Sequence, residues 1–267
     1  MKTLRFIGMA LFAVLMCVNF TACSKEELPQ YELVTGEKRI VKIEINNSYY
    51  GHSVWDFKYD NKGRLVEATC NEGQESKKIN YAWSKNTIES SYGTYYLSDG
   101  LIRNWQNYSD VTYSPNTGRA TEIGNKSSYG FYYSFTWDSD KLLRRGYYYK
   151  EENRSTIQEL FSFIYNESEK TCSYSNPIVP IFLSNGFDGD FLCVVHPELV
   201  AASTTILPSH FTKEDFWISD SGRIDSETIR GTCSYKFDSD GYVTECTMNE
   251  NSTNYYAYKA KYTITWE

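Results

Sequence analysis

Histidine is scarce in this 267-residue chain, with only His52, His196 and His210. None falls in H-x-x-x-H or H-E-x-x-H spacing, so a zinc hydrolase has no ligand set to start from. The cysteines lack C-x-x-C spacing, which removes the common structural zinc sites. There is no G-x-S-x-G elbow and no glycine loop built to cradle phosphate. The sequence therefore gives no reason to expect a cofactor. Positive charge is also short: the net charge is −7 and no basic run extends past Arg144-Arg145. That balance argues against nucleic acid and against anionic lipid headgroups as partners. No apolar run reaches the roughly 20 residues that a membrane-spanning helix needs. Proline is sparse, and four of its six copies (Pro177, Pro180, Pro197, Pro208) lie in one stretch.

What is present begins with an address. Lys2 and Arg5 give a basic start, Phe6 to Val18 carries no charge, and Asn19-Phe20-Thr21-Ala22-Cys23 closes the segment. This is the layout of a secretory signal peptide over residues 1–22. Its removal takes away two positive charges and leaves 25 basic against 34 acidic side chains, a balance of −9. Residues 23–37 are polar and without periodicity, which predicts a flexible tether, and residues 38–267 remain for a single domain. Export permits disulfides. The five cysteines left after Cys17 and Cys23 are Cys70, Cys172, Cys193, Cys233 and Cys246. An odd number leaves at least one thiol unpaired. Cys233 and Cys246 flank the turn Asp238-Ser239-Asp240-Gly241. A plain two-residue turn sets them directly opposite, whereas a glycine bulge puts them on opposite faces and Val243 across from Phe237.

The body of the chain reads as β-structure. Aromatics are 16% of residues and Tyr alone occurs 24 times, a composition that suits pleated, half-buried surfaces. A loose repeat sharpens this. Phe57-Lys58-Tyr59-Asp60-Asn61-Lys62-Gly63-Arg64-Leu65-Val66 is one copy, and Tyr235-Lys236-Phe237-Asp238-Ser239-Asp240-Gly241-Tyr242-Val243 is nearly the same. Weaker copies begin at Tyr81, Tyr95, Val111, Phe135, Phe163 and Trp217. In each, alternating aromatics end a strand. In the clearest copies Asp or Ser then caps the turn through its side chain, and Gly takes the positive φ. Successive hairpins of this kind predict an all-β fold, an antiparallel meander that forms either a partly open barrel or a strongly twisted sheet. Residues 176–216 break the pattern. Their prolines remove ladder donors, so they are expected to form an irregular crossover, with a short helix near Pro197-Glu198-Leu199-Val200-Ala201, that plugs a barrel end or lies across an open face.

Three resemblances add to this. Phe20-Thr21-Ala22-Cys23 resembles the lipobox of bacterial lipoproteins, although Phe20 stands where that motif prefers an aliphatic residue. It implies a lipid on Cys23, which becomes the mature N-terminus and an anchor to a membrane. Ser24-Lys25-Glu26-Glu27 looks like the short export signal that sends many Bacteroidetes lipoproteins to the outer face of the outer membrane. Together, the lipobox, the Tyr/Asp/Gly hairpins, the Pro-rich interruption ending near Leu207-Pro208-Ser209 and the final hairpin resemble a Bacteroidetes lipoprotein family of unknown function with a porin-like, partly open β-barrel. The family carries no established chemistry to this chain.

For function, the aromatic runs are the informative feature. Tyr147-Tyr148-Tyr149, Tyr129/Phe131/Tyr132/Tyr133 and Tyr92/Tyr95/Tyr96 put rings on both faces of any strand they occupy. One face can be core; the other either stiffens the sheet through cross-strand pairs or offers a platform to a sugar or protein. The leading expectation is a non-enzymatic, surface-exposed lipoprotein that binds a glycan or protein. A periplasmic-side envelope or carrier protein with an apolar barrel interior is the first alternative. A hydrolase is the second, with two carboxylates hidden among pairs such as Glu151-Glu152, Asp188/Asp190 and Glu214-Asp215.

Overall fold

The computed structural model describes residues 38–48, 51–72, 75–105, 109–124, 129–151, 154–166, 170–172, 191–201, 204–218, 223–251 and 259–267. The signal segment, Cys23, Ser24 to Glu27, the tether, Asp188 and Asp190 lie outside these residues. The first strands are β1 (Ile40–Asn47), β2 (Gly51–Tyr59), β3 (Leu65–Glu72), β4 (Glu75–Trp83), β5 (Thr87–Ser90) and β6 (Gly93–Ser98). Then come β7 (Leu101–Trp105), β8 (Ser109–Tyr113), β9 (Ala120–Gly124), β10 (Tyr129–Asp138), β11 (Lys141–Glu151) and β12 (Arg154–Ile164). A crossover follows, with β13 (Lys170–Thr171), helix α1 (Leu192–Val195), a 3-10 turn over Pro197–Val200, and β14 (Ile206–Leu207). The chain closes with β15 (His210–Ile218), β16 (Ile224–Phe237), β17 (Val243–Glu250) and β18 (Lys259–Trp266).

β1 to β12 pair in sequence order, β15 joins β12, and β18 returns to β1, so the barrel is closed with sixteen antiparallel strands. It is neither partly open nor an open twisted sheet. The correction has a simple cause: Ile43 pairs with Ile264 and Ile45 with Tyr262, and this long-range register joins the two ends of the meander, which no local pattern encodes. β13 and β14 form a separate two-stranded ribbon in the crossover. Regular strand resumes at His210, inside the stretch expected to be irregular up to Phe216.

Register assigns every strand residue a face. Ile43, Trp55, Phe57, Ala68, Ile79, Tyr81, Ile88, Tyr95, Ile123, Phe161, Phe211, Met248 and Ile264 point inward and are buried. The outward positions carry charge. Glu67 sits between Lys58 (2.7 Å) and Lys78, and Glu245 between Lys236 (3.1 Å) and Lys261 (2.8 Å), the same arrangement in two copies of the repeat. Lys42 faces Asp56, and His52 reaches Glu44 at 3.1 Å. A membrane-spanning barrel presents the reverse polarity, and each Lys or Arg at mid-bilayer on its outer face costs about 2–4 kcal/mol. This outer face is built for water.

The repeat turns explain one rim. Asp60 Oδ1 accepts from Lys62 N and Arg64 N, and Asp238 Oδ1 accepts from Asp240 N and Tyr242 N. Bulges follow at Lys58/Tyr59, Tyr96/Leu97, Thr112/Tyr113, Thr136/Trp137 and Lys236/Phe237. Beside them, the last aromatic of a strand donates to a main-chain carbonyl: Tyr59 to Ile40 (2.6 Å), Trp83 to Leu65 (2.7 Å), Trp137 to Ala120 (2.8 Å) and Trp266 to Val243 (2.8 Å). Tyr113, Tyr165 and Tyr235 do the same to Ile102, Leu142 and Pro208. Cations cover these rings, among them Arg39 over Tyr59, Arg64 over Trp83 and Arg119 over Trp137. The Trp217–Ile224 copy differs: Ile218 and Ile224, the ends of β15 and β16 that it joins, pair at the opposite rim.

The five described cysteines are buried, and no disulfide joins any two of them. Phe237 does pair with Val243, but beyond the bulge Cys233 faces Met248 and Tyr235 faces Cys246. The turn and the bulge each add a residue, so the two cysteines return to the same inward face as diagonal neighbours. Diagonal Cβ atoms stand about 7–8 Å apart, beyond the roughly 3.5–4.5 Å of a disulfide. Burial pushes the Cys233 thiol up to about 12.

Candidate functional site

A sixteen-stranded ring encloses more space than side chains alone fill, which is why porins of this size hold water. Here the crossover fills one end. Phe191 packs on Trp55 (ring centroids 4.7 Å) and Phe57 (5.8 Å). His196 sits edge-on to Trp83 (5.4 Å), and its Nε2 accepts from Leu65 N–H at 3.1 Å. Thr204 Oγ1 donates to the Asp140 carbonyl at 2.6 Å. Leu192, Val194, Leu199 and Val200 are buried. This end, at the rim of the repeat turns, is plugged.

At the opposite end inward-facing rings meet solvent. β10 and β11 set Phe131 and Tyr133 against Tyr149 and Tyr147. Phe131 stacks on Tyr147 (5.1 Å, 11° between planes) and touches Tyr149 (5.0 Å), while Tyr133 stacks on Tyr147 (4.8 Å). Phe131 is nonetheless 53% exposed, and Trp217, inward on β15, is 47% exposed. Tyr132 and Tyr148 stack on the outer face instead, at 5.0 Å. Thus the Tyr runs do both things open to them: the outer pair stiffens the sheet, and the inner set forms a wall with accessible faces. Tyr95 is core, whereas Tyr92 and Tyr96 are exposed elsewhere.

Below the wall lies a charged chain that sequence inspection missed. A bulge shifts the β11–β12 register between Tyr147 and Tyr148, pairing Tyr147 with Glu159, and Glu159 pairs in turn with Asp215 on β15. Arg145, 1% exposed, is ion-paired to Glu159 and lies 4.6 Å over the Phe161 ring. Lys213 Nζ bridges Glu159 (3.2 Å) and Asp215 (2.7 Å). Burial pulls the Lys213 ammonium down, but its bond to Asp215 and the Glu159 charge outweigh this and hold it above its ordinary value. The network is charge-balanced, and its members are separated too widely in sequence for spacing to reveal them.

Other candidates do not converge. Register puts Glu214 outward and Asp215 inward, so they are not a pair. His52 lies on the outer face, His196 in the plug, and His210 bonds Ser209 at the start of β15. Among the described residues, no three His, Cys, Asp or Glu side chains form a metal site. Every described carboxyl whose ionisation is displaced (Glu44, Asp60, Glu67, Asp238, Glu245) is displaced downward, against a side-chain or main-chain donor. These are fixed charges rather than proton donors.

No protein-family model matches the sequence, and no curated protein matches it. Among solved structures, the chain is similar to a porin-like protein from Bacteroides uniformis. The match has a TM-score of 0.53 and 13% identity, and covers 85% of this chain and 96% of that one. At that identity the likeness is one of fold: a closed antiparallel barrel.

Proposed function

We propose that this protein is a non-enzymatic envelope lipoprotein, carried by a lipid on Cys23 and displayed at the cell surface through Ser24-Lys25-Glu26-Glu27. It binds a glycan or a protein segment on the inward aromatic wall at the end of the barrel opposite the plug. The observation that carries this is the exposed Phe131 stacked on the partly buried Tyr147, Tyr133 and Tyr149 inside a barrel whose outer face is charged. Rigid rings with polar tips suit sugars and peptides at low entropic cost. The outer charges argue against a conducting pore, and the porin-like likeness fits an envelope protein by fold alone.

A carrier for an apolar ligand draws support from the apolar inner face, but the Arg145–Glu159–Lys213–Asp215 chain beneath the wall disfavours a purely apolar guest. A glycan and peptide panel read by thermal shift tests the binding site. A ligand that raises Tm for the native protein and not for Phe131→Ala supports it; a ligand that stabilises both equally places binding elsewhere. Protease shaving of intact cells tests display: digestion while a periplasmic control survives is the expected result, and protection until the outer membrane is opened refutes surface exposure.

A further inference from the structure

We propose that the aromatic wall is one end of a two-ended site for a neutral oligosaccharide, an inference that rests on the wall being the binding site. Trp217 forms the other end, and Glu159, Lys213 and Asp215 form a hydrogen-bonding floor between the two. Register carries the geometry. Tyr133 pairs with Tyr147, Tyr147 with Glu159, and Glu159 with Asp215, so one inward row crosses β10, β11, β12 and β15. Phe131 lies two residues from Tyr133 toward the far rim, and Trp217 lies two residues from Asp215 in the same direction. Two half-exposed rings therefore stand one step above the two ends of the row. Three interstrand steps separate them, about 14 Å at the backbone. A single sugar ring cannot touch both; a short chain of them can.

The floor selects the class of guest. Lys213 Nζ bonds Asp215 (2.7 Å) and Glu159 (3.2 Å), and the buried Arg145 also holds Glu159. These ion pairs fix a part-buried series of acceptor, donor and acceptor. The carboxylates keep lone pairs beyond those taken by Lys213 and Arg145, and the ammonium keeps a third N–H. Sugar hydroxyls both donate and accept, so such a series can satisfy them from either side. A charged guest is met badly. Glu159, Asp215 and Glu227, the next residue in the row, repel an anion, while Lys213, between the two carboxylates, repels a cation. Asp225, across from Trp217, is offset by Arg223 at 3.0 Å. A peptide loses its usual grip as well: extended peptides join a sheet at an exposed edge, and the closed ring of strands has none.

Binding of the full chain to an array of neutral, uronic-acid and amino-sugar oligosaccharides, with calorimetric titration of whatever binds, tests this. The expected result is binding confined to neutral trisaccharides and longer chains. Phe131→Ala and Trp217→Ala, both at exposed rings, should each weaken it by roughly threefold to tenfold. A neutral ligand weakened by Phe131→Ala and untouched by Trp217→Ala overturns the two-ended site and leaves the wall as the place of binding. Acidic or basic oligosaccharides, or peptides from a parallel peptide array, bound in place of neutral sugars and lost in Phe131→Ala overturn the ligand class and again leave the wall standing. A ligand held equally by the native chain and both variants overturns the wall as binding site, and this proposal with it. A native chain that binds no oligosaccharide on the array overturns the proposal outright.

Discussion

The two ends of this barrel are made of the same residue types and put them to opposite uses. At the turn-side rim, Tyr59, Trp83, Trp137 and Trp266 spend their polar atoms on main-chain carbonyls, and their faces are covered by His196 of the plug (Tyr59, Trp83), Arg119 (Trp137) or Tyr242 (Trp266). At the far rim, Phe131 and Trp217 keep large faces in solvent although they point inward. An aromatic ring stabilises a sheet when its donor finds a buried carbonyl and its faces find neighbours. It remains available to a ligand when the backbone holds it in place but nothing covers it. The first rim is therefore where stability should reside, and the second where substitutions should be cheap and binding should be lost.

Four changes test that division, in falling order of effect. Phe211, 1% exposed, packs tilted against Phe161 (ring centroids 6.0 Å) and lies over Gly231. Phe211→Ala should cost ~3–5 kcal/mol in denaturant unfolding; a loss below about 1 kcal/mol would mean that this region is not the core. Trp137→Phe keeps most of the ring and removes the donor to Ala120, and should cost ~0.5–1.5 kcal/mol. No measurable change would show that the rim bonds contribute nothing to stability.

Phe131→Ala, at the opposite rim, should change stability by no more than about 0.5 kcal/mol while removing the thermal shift given by any wall ligand. A cost comparable to that at Phe211 would erase the distinction between the ends. The smallest effect is electrostatic. Lys58 first, then Lys78, holds the Glu67 carboxyl at about 2. A depressed carboxyl stabilises the fold above its ordinary range, and that contribution is lost as pH falls from about 4.5 toward about 2. Glu67→Gln should therefore flatten the acid limb of a Tm-against-pH curve slightly and leave the neutral region little changed. An unaltered acid limb would show that the Lys58–Glu67–Lys78 cluster adds no net stability.

Much of the plugged rim was legible from local signals. The Asp-x-x-Gly turns, the aromatic ending each strand and the Pro-rich crossover are short-range features, and they sit where the repeat implies. The short helix expected near Pro197 corresponds to the 3-10 turn over Pro197–Val200. Closure was not legible, because the pairing of β1 with β18 joins residues more than 200 positions apart. The bulges escaped for a related reason. The bulge before Phe237 adds a second shift to that of the turn, and it brought Cys233 and Cys246 to one face as free thiols. The charged chain under the wall depends on the registers among three strands, β11, β12 and β15, at once. In sequence Arg144-Arg145 is only a short basic run and Glu214-Asp215 a carboxylate pair; the registers turn Arg145 and Asp215 inward and Arg144 and Glu214 outward. The Tyr runs showed that both faces carry rings, and only the structure distinguishes the pair that covers the outside from the set exposed within.

The central claim is that this closed barrel is built inside-out relative to a membrane-spanning one, with charge outside and apolar and aromatic residues within. Sedimentation of the acyl-free chain, lacking residues 1–22 and carrying Cys23→Ser, in detergent-free buffer tests it most directly. The chain should remain in solution as a discrete folded species and gain nothing from added detergent. Sedimentation as aggregate until detergent is supplied would mean that the outer face seeks lipid, and would contradict the account.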